Sequence, residues 1–401
     1  MTLHDTISVR PATDNDWPAL ELLDSVAFAY HPVDADRTLT RALTRTEDVV
    51  VATDAGTPIG LALDLPMDLT VPGGTQVPVR GVTWVSVAPT HRRRGVLRAL
   101  FAQIHNNIGR TGVPLAMLTA SDAGIYGRFG YGPATVSTSV TIDRRFARFR
   151  DDAPDPGGVV LTDQATAVTR LPEIYERWRL ITPGAQNRPQ PQWDYTFADP
   201  EEHRDGKSGL HYLIHPDGYA TFRYRSADDG MVAVVAELVA VTDAAHTALW
   251  RTLCGLDLTQ RIEATQHPDD PLRLMLTDYR LPRTTRRSDD LWVRIMDVPA
   301  ALGARTYALD GDIVLAVRDP YLDAGGTFAL TVRDGHAECR RTDATAHVTL
   351  DLDALGSLYL GAHRARTLAA AHRIEAASDR DLALVDMMFA ADRPAVLGYG
   401  F

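Results

Sequence analysis

The run Gly81–Leu100, GVTWVSVAPTHRRRGVLRAL, constrains this chain more than any other stretch. Gly81–Ala88 is rich in β-branched and aromatic residues and reads as a strand. Pro89 then turns the chain, and Arg92, Arg93, Arg94 and Gly95 follow. Val96, Leu97, Leu100, Phe101, Ile104 and Ile108 make an apolar stripe of helical period that stops near Gly109 and Gly112. Such a strand–loop–helix leaves backbone N–H groups free at a helix start. Those groups and the helix dipole favour an anion, most simply a phosphate or pyrophosphate. The arginines add mobile positive charge at the same place. Three consecutive arginines alone would read as a solvated loop capping a helix; the strand before them and the glycine-led helix after them favour phosphate. A ligand with a diphosphate and an extended arm, such as coenzyme A, suits this arrangement.

The rest of the chain supplies the frame. Trp17–Ala29 has a helical apolar period after Asp14 and Asp16. Asp48–Ala52 and Ile59–Leu65 read as strands about an Asp-Ala-Gly-Thr-Pro turn, and Val113–Ala120 and Thr135–Ile142 as further strands. Alternation of strands and helices predicts an α/β sheet over a first block to about residue 150. Asp151–Gly158, DDAPDPGG, is the clearest linker. A second α/β block over 151–290 contains a helix near Ile174–Leu180, three strands between Leu210 and Val241, a helix from Asp243 and a strand at Arg261–Thr265. Leu281–Asp290 is polar and loop-like. A third block, 291–401, opens with a strand at Leu291–Met296 and adds strands at Ile313–Val317, Gly326–Arg333 and Ala346–Leu350.

Composition narrows the classes. No apolar run approaches the ~20 residues of a membrane span, and MTLHDTISVRPATDNDW has no signal-peptide pattern. Cys254 and Cys339 are the only cysteines, which excludes a disulfide framework and fits a reducing, cytoplasmic setting. A net charge of −11 disfavours general nucleic-acid binding and suits cationic substrates. The histidines, including His363 and His372, show no metal spacing, and Asp381 and Asp386 read as the solvated face of a final helix. No metal is expected.

Two further segments bear on chemistry. Ile125–Tyr131, IYGRFGY, follows the strand at Val113–Ala120; Tyr126 is either a packed aromatic beside Phe129 and Tyr131 or a phenol placed to donate a proton. A phenol of pKa about 10 stays protonated at neutral pH and can donate to a thiolate of pKa about 8.5. The last residues, VLGYGF, hold aromatics and glycines with no charged side chain after Arg393. That reads as a docked tail, either merely packed or bringing the Phe401 α-carboxylate to a site. An intrinsic pKa of about 3.3–3.7 makes that group a weak base, strengthened by burial or acting through water.

Arg92–Leu97 resembles the pyrophosphate loop of GNAT acetyltransferases, Arg/Gln-x-x-Gly-x-Gly/Ala, with Leu97 where a small residue is usual. IYGRFGY resembles the late GNAT segment whose tyrosine protonates the departing thiolate. The whole chain is similar to the Eis (enhanced intracellular survival) acetyltransferases of actinobacteria, in VSVAPTHRRRG, IYGRFGYGPAT, DRRFARF, IYERWR, LIHPDGYA, LWVRIMDVPAAL and DALGSLYLGAHRA. That resemblance implies an α/β (α+β) fold of two tandem GNAT-like domains plus a C-terminal sterol-carrier-like domain whose last residue returns to the active site. It implies acetyl-CoA as co-substrate and a homohexamer.

By position, Val85, Ser86 and Val87 would hold the pantetheine. Arg92, Arg93, Arg94, Gly95, Val96, Leu97 and Arg98 would line the pyrophosphate, with Ser121 and Asp122 near the cofactor. Tyr126 would be the general acid and the Phe401 carboxylate the general base. Trp84, Phe28 and His31 are candidate walls of the acceptor pocket. The acceptor would be a primary amine of an aminoglycoside-type polycation, a lysine or a polyamine. The second block lacks the arginine–glycine loop, so only the first is expected to bind acetyl-CoA. A longer-chain protein N-acyltransferase, or a lipid- or protein-binding scaffold, is the alternative. The third block weighs against the former, because the paired-domain N-myristoyltransferases lack it.

Overall fold

The structure, a computed structural model, describes residues 6–401. The first stretch runs β1 (Ile7–Pro11), α1 (Trp17–Phe28), α2 (Asp34–Leu43), β2 (Val50–Asp54), β3 (Thr57–Thr70) and β4 (Gln76–Val87). It continues through α3 (Val96–Thr111), β5 (Leu115–Thr119), α4 (Ala123–Tyr126) and β6 (Gly132–Pro133). Next come β7 (Val136–Asp143), β8 (Val160–Thr162), α5 (Gln164–Arg179), α6 (Gln190–Ala198), β9 (His211–His215), β10 (Gly218–Ala227) and β11 (Gly230–Ala240). α7 (Asp243–Cys254), β12 (Thr259–Gln266), α8 (Leu272–Met275) and β13 (Arg283–Asp289) follow. The last stretch holds β14 (Leu291–Ile295), α9 (Val298–Ala304), β15 (Gly311–Arg318), β16 (Gly326–Arg333), β17 (His336–Arg341) and β18 (Val348–Asp351). α10 (Leu352–Tyr359), α11 (Ala365–Ala370), β19 (Ile374–Ala376) and α12 (Asp379–Met388) close it.

Two compact units form. One joins residues up to 135 with 291–392 and 399–401; the other takes 136–290 and 393–398. The first unit holds a sheet ordered β1-β2-β3-β4-β5-β14-β6 and a smaller one ordered β17-β16-β15-β18-β19. The larger sheet is covered by α3, whose Val96, Leu100, Phe101, Ile104 and Ile108 are all buried. These are positions of the stripe read from the sequence. On the other face Trp17 and Leu20 of α1 pack with Val51, Leu61 and Leu63. Gly112, at a φ of +72, closes α3 by donating its N–H to Gly109 O.

The second unit holds a sheet ordered β13-β7-β12-β11-β10-β9-β8 over α7. Its tail segment is tied in: Val396 N–H donates to Pro183 O (2.8 Å) and Gly398 N–H to Gln186 Oε1 (3.0 Å).

Four sequence expectations change. The strand expected at Thr135–Ile142 does not serve the first sheet: β7 pairs with β12 and β13 in the second. Conversely β14, expected to open the third block, pairs with β5 and β6 in the first sheet. Alternation of apolar residues fixes which face of a strand is buried, but not which sheet receives it. Nor is Leu281–Asp290 a loop. Its Arg283–Asp289 core is the edge strand β13, almost wholly exposed, whose charged side chains suit an edge that must not pair further. In the last helix Asp386 is buried rather than solvated: it accepts from Arg364 Nη2 (2.7 Å) and from the Arg366 N–H (3.3 Å). The Arg364 guanidinium and these donors outweigh burial and hold its carboxyl below the usual range.

Candidate active site

β4 and β5 are parallel partners only where Val79–Gly81 lies opposite Leu115–Met117. Beyond Gly81 they part, and among the described residues no strand pairs with Val82–Val87 on that side. On its other edge β4 meets β3 with a register jump. Leu63 faces Thr83 but Leu61 faces Ser86, so Trp84 and Val85 share the space opposite Ala62. Trp84 adopts a φ of +55 at this bulge. The result is an open fork with a free main-chain edge, able to hydrogen-bond an extended ligand as a strand would.

The loop after β4 carries the charge. Arg93 and Gly95 both sit in the left-handed region, at φ +63 and +85. Such turns aim successive N–H groups inward and make an anion nest. Gly95 brings no capping side chain to α3, so the first-turn N–H groups remain available to a ligand. Arg92, Arg93, Arg94 and Arg98 are exposed, Val96 is buried under them, and Leu97 packs at the edge of the core. Leu97 therefore does not fill the cradle. A nest, an uncapped helix start and an open strand edge fit a diphosphate with a pantetheine arm.

Tyr126 ends α4, across the fork from β4. It is 5% exposed, packed by Phe101 (ring centroids 5.9 Å apart). Burial raises its phenol above the ordinary value, partly offset by a hydrogen bond with Ser121. The ring is part of the core, and the hydroxyl stays protonated at neutral pH. Ser121 and Asp122 are exposed at the start of α4, where Asp122 Oδ1 accepts from the Gly124 N–H (2.9 Å).

Phe401 lies where β4 and β5 diverge. A methyl group on Gly81 would come within 2.7 Å of the Phe401 ring and of the Met67 sulfur. The Thr119 hydroxyl, at the end of β5, stands 3.5 Å from the Phe401 main-chain oxygen. Gly81 appears in the sequence only as the start of a strand, and nothing in the pattern marks Thr119. A glycine inside a strand signals close approach by another chain, and Gly81 was such a signal.

The acceptor side is only partly assembled. Trp84 packs edge-on against Trp17 (6.2 Å, 81°), with Arg41 over the Trp17 ring at 3.6 Å. Phe28 ends α1 at 45% exposure and His31 is exposed just beyond it. Ser86 contributes no side chain to an open site: its hydroxyl is buried, beside Asp24 of α1. The Tyr30 hydroxyl donates to Asp24 Oδ2 (2.6 Å), and burial holds the Asp24 carboxyl above its usual range.

Among the described residues no group of His, Cys, Asp or Glu could hold a metal ion, and no helix is long and apolar enough to cross a membrane.

A forked parallel strand pair with an anion nest at the start of its crossover helix fits a GNAT-type N-acetyltransferase. Comparison with known proteins agrees. Acetyltransferase (GNAT) domain families match residues 8–134 and 184–295, and a sterol carrier protein domain family matches 298–397. N-acetyltransferase Eis of Mycobacterium tuberculosis is 47% identical over 99% of this chain and 100% of its own length. An uncharacterized N-acetyltransferase of Streptomyces coelicolor is 38% identical over 83% of each chain. The crystal structure of Eis1 from Mycobacterium abscessus superposes with a TM-score of 0.88 at 32% identity, covering 98% of this chain and 100% of the other. A GCN5-related N-acetyltransferase from Anabaena variabilis shares the fold, with a TM-score of 0.85 at 21% identity over 98% and 99% of the two chains. The chain belongs to the Eis family of N-acetyltransferases. It is an acetyl-transferring enzyme of two GNAT domains and a sterol carrier protein domain, and enzymes of the GNAT class use acetyl-CoA.

Proposed function

We propose that the fork of the first sheet moves acetyl from acetyl-CoA to a primary amine of a polycationic acceptor, of the aminoglycoside, polyamine or lysine type. The placement of Phe401 at the parting of β4 and β5, against Gly81 and Thr119, supports this reading. The main chain of Val85–Val87 holds the pantetheine arm, and Arg92–Arg98 hold the diphosphate, with Ser121 and Asp122 at the opposite lip. Binding both substrates makes the step effectively unimolecular. The amine attacks the thioester carbonyl. A main-chain N–H of the free β4 edge stabilises the oxyanion. The Phe401 carboxylate takes the ammonium proton, directly or through water. As the C–N bond forms and the C–S bond breaks, Tyr126 gives its proton to the leaving thiolate. Trp84, Phe28 and His31 wall the acceptor.

The test is thiol release from acetyl-CoA across a panel of aminoglycosides, polyamines and lysine peptides. The native chain, its last residue checked by intact mass, is compared with one extended by a residue after Phe401. The extension should cut kcat by about 100-fold. Full turnover by the extended chain overturns the terminal base; no thiol release with any amine overturns the acceptor class. The homohexamer implied by the family resemblance is checked by light scattering, where a monomer would contradict it.

A further inference from the structure

Tyr126 is followed by a tight 3-10 turn, Gly127–Phe129, which Gly130 closes at a φ of +80. This turn fixes where the Tyr126 main chain sits, and an ion pair reaches it that starts on β14 of the same sheet and ends in the sterol carrier region. Arg294 of β14 donates through Nη1 to Phe129 O (2.7 Å). A methyl group on Gly130 would meet that Nη1 at 2.0 Å, so the guanidinium fills the space that Gly130 leaves open. Through Nη2 it donates to Asp319 Oδ2 (2.6 Å), and both side chains are 0% exposed. Asp319 follows β15 and also accepts from the N–H groups of Tyr321 (3.2 Å) and Ala324 (3.3 Å). The Tyr321 ring stands edge-on to Phe129 (5.0 Å, 80°).

A fully buried ion pair is a poor device for stability, because desolvation consumes most of its attraction and apolar residues of similar volume serve as well. Here the fit is not optimised for stability either, since Arg294 Nε is buried without a hydrogen-bond partner among the described residues. What the pair supplies is direction. A guanidinium fork offers fixed, planar donors, and one arm is spent on the carbonyl three residues after Tyr126.

We propose that Arg294, locked by Asp319, is a positioning residue for the Tyr126 hydroxyl, so that the sterol carrier region sets the geometry of the proton donor. The inference rests on the reading of Tyr126 as general acid.

The test is a double-mutant cycle in the full chain, between Tyr126→Phe and the apolar pair Arg294→Met/Asp319→Leu, read as kcat and KM for acetyl-CoA. In the native background the apolar pair should lower kcat by about tenfold while KM stays within about twofold. In the Tyr126→Phe background the same pair should change kcat by less than about twofold, because the group it positions is gone. An equal loss in both backgrounds, or no loss in the native one, overturns the positioning role. If Tyr126→Phe alone runs at the native rate, the acid assignment fails and takes this inference with it. Should the apolar pair not fold, Arg294→Lys reads the same cycle: it keeps the charge against Asp319 and loses the fork to Phe129 O.

Discussion

The two larger sheets carry the same crossover and use it differently. In the first unit β4 leads through an eight-residue arginine–glycine stretch into α3, and its diverging end, Val82–Val87, is free. In the second unit β11 also leaves its parallel partner, pairing with β12 only over Met231–Val234. Only Val241 and Thr242 separate β11 from α7, and the Thr242 hydroxyl accepts from the Ala245 N–H (3.2 Å). That helix start is capped by its own chain, and nothing basic stands before it. The diverging end of β11 is occupied too. Its Glu237 accepts from Arg188 Nη2 (2.6 Å) and from the Tyr219 hydroxyl (2.9 Å). Arg188 stacks on Tyr175 and Trp193, each at 4.3 Å, and donates to Gly398 O (3.1 Å). One crossover is therefore open to an anion and the other is closed by side chains. Fold and ligand site are separable, and what distinguishes the two crossovers is a loop and an unpaired strand edge.

The comparison can be broken at four places. Arg188→Met leaves the half-buried Glu237 without its cation and empties the space against Tyr175 and Trp193, and should destabilise the second unit by about 3 kcal/mol in chemical denaturation. Loss of less than about 1 kcal/mol would mean that the second fork is not held shut by this pair. Tyr126→Phe should lower kcat about 100-fold, worth about 2.7 kcal/mol, with acetyl-CoA affinity retained on calorimetry. Unchanged kcat would reduce Tyr126 to a core aromatic.

The third place is acid sensitivity, which the first core carries in His105. It is buried against Tyr131, whose hydroxyl lies 2.9 Å from Nε2. Burial, then the Arg294 charge, push its pKa down from 6.5 to about 3. Between those values the unfolded chain binds a proton that the folded one does not, so stability rises with pH there. His105 thus contributes fully above about pH 6.5 and loses that contribution as pH falls towards about 3. At pH 5 the loss should be about 2 kcal/mol, and His105→Gln should flatten the profile. The smallest effect belongs to Thr242→Ala, about 1 kcal/mol of stability, with kinetics untouched; a raised KM for acetyl-CoA would contradict the closed reading of the second crossover.

Much of the first fork was legible because its signals are local. Helix period gave α3 nearly to its ends, and Gly95 with the arginines marked the nest. Non-local features escaped. The amphipathic α2, Asp34–Leu43, has no fully buried residue and left little apolar pattern to read. Nothing around Val136 or Leu291 told which sheet each strand would join, since that choice is made by partners more than 100 residues away. The bulge at Trp84 was hidden for a related reason: a positive φ in a tryptophan is imposed by register with β3, not by propensity. Arg294 stands as one arginine in an apolar strand, and only packing shows that it ends on Phe129 O.

The central claim is that one of the two crossovers binds the acetyl donor. Calorimetric titration with acetyl-CoA tests it most directly, on the native chain and on Arg92→Gln/Arg93→Gln/Arg94→Gln. The account predicts one site per chain, weakened about tenfold or more in the triple variant. Two sites per chain, or one site indifferent to the three arginines, would contradict it.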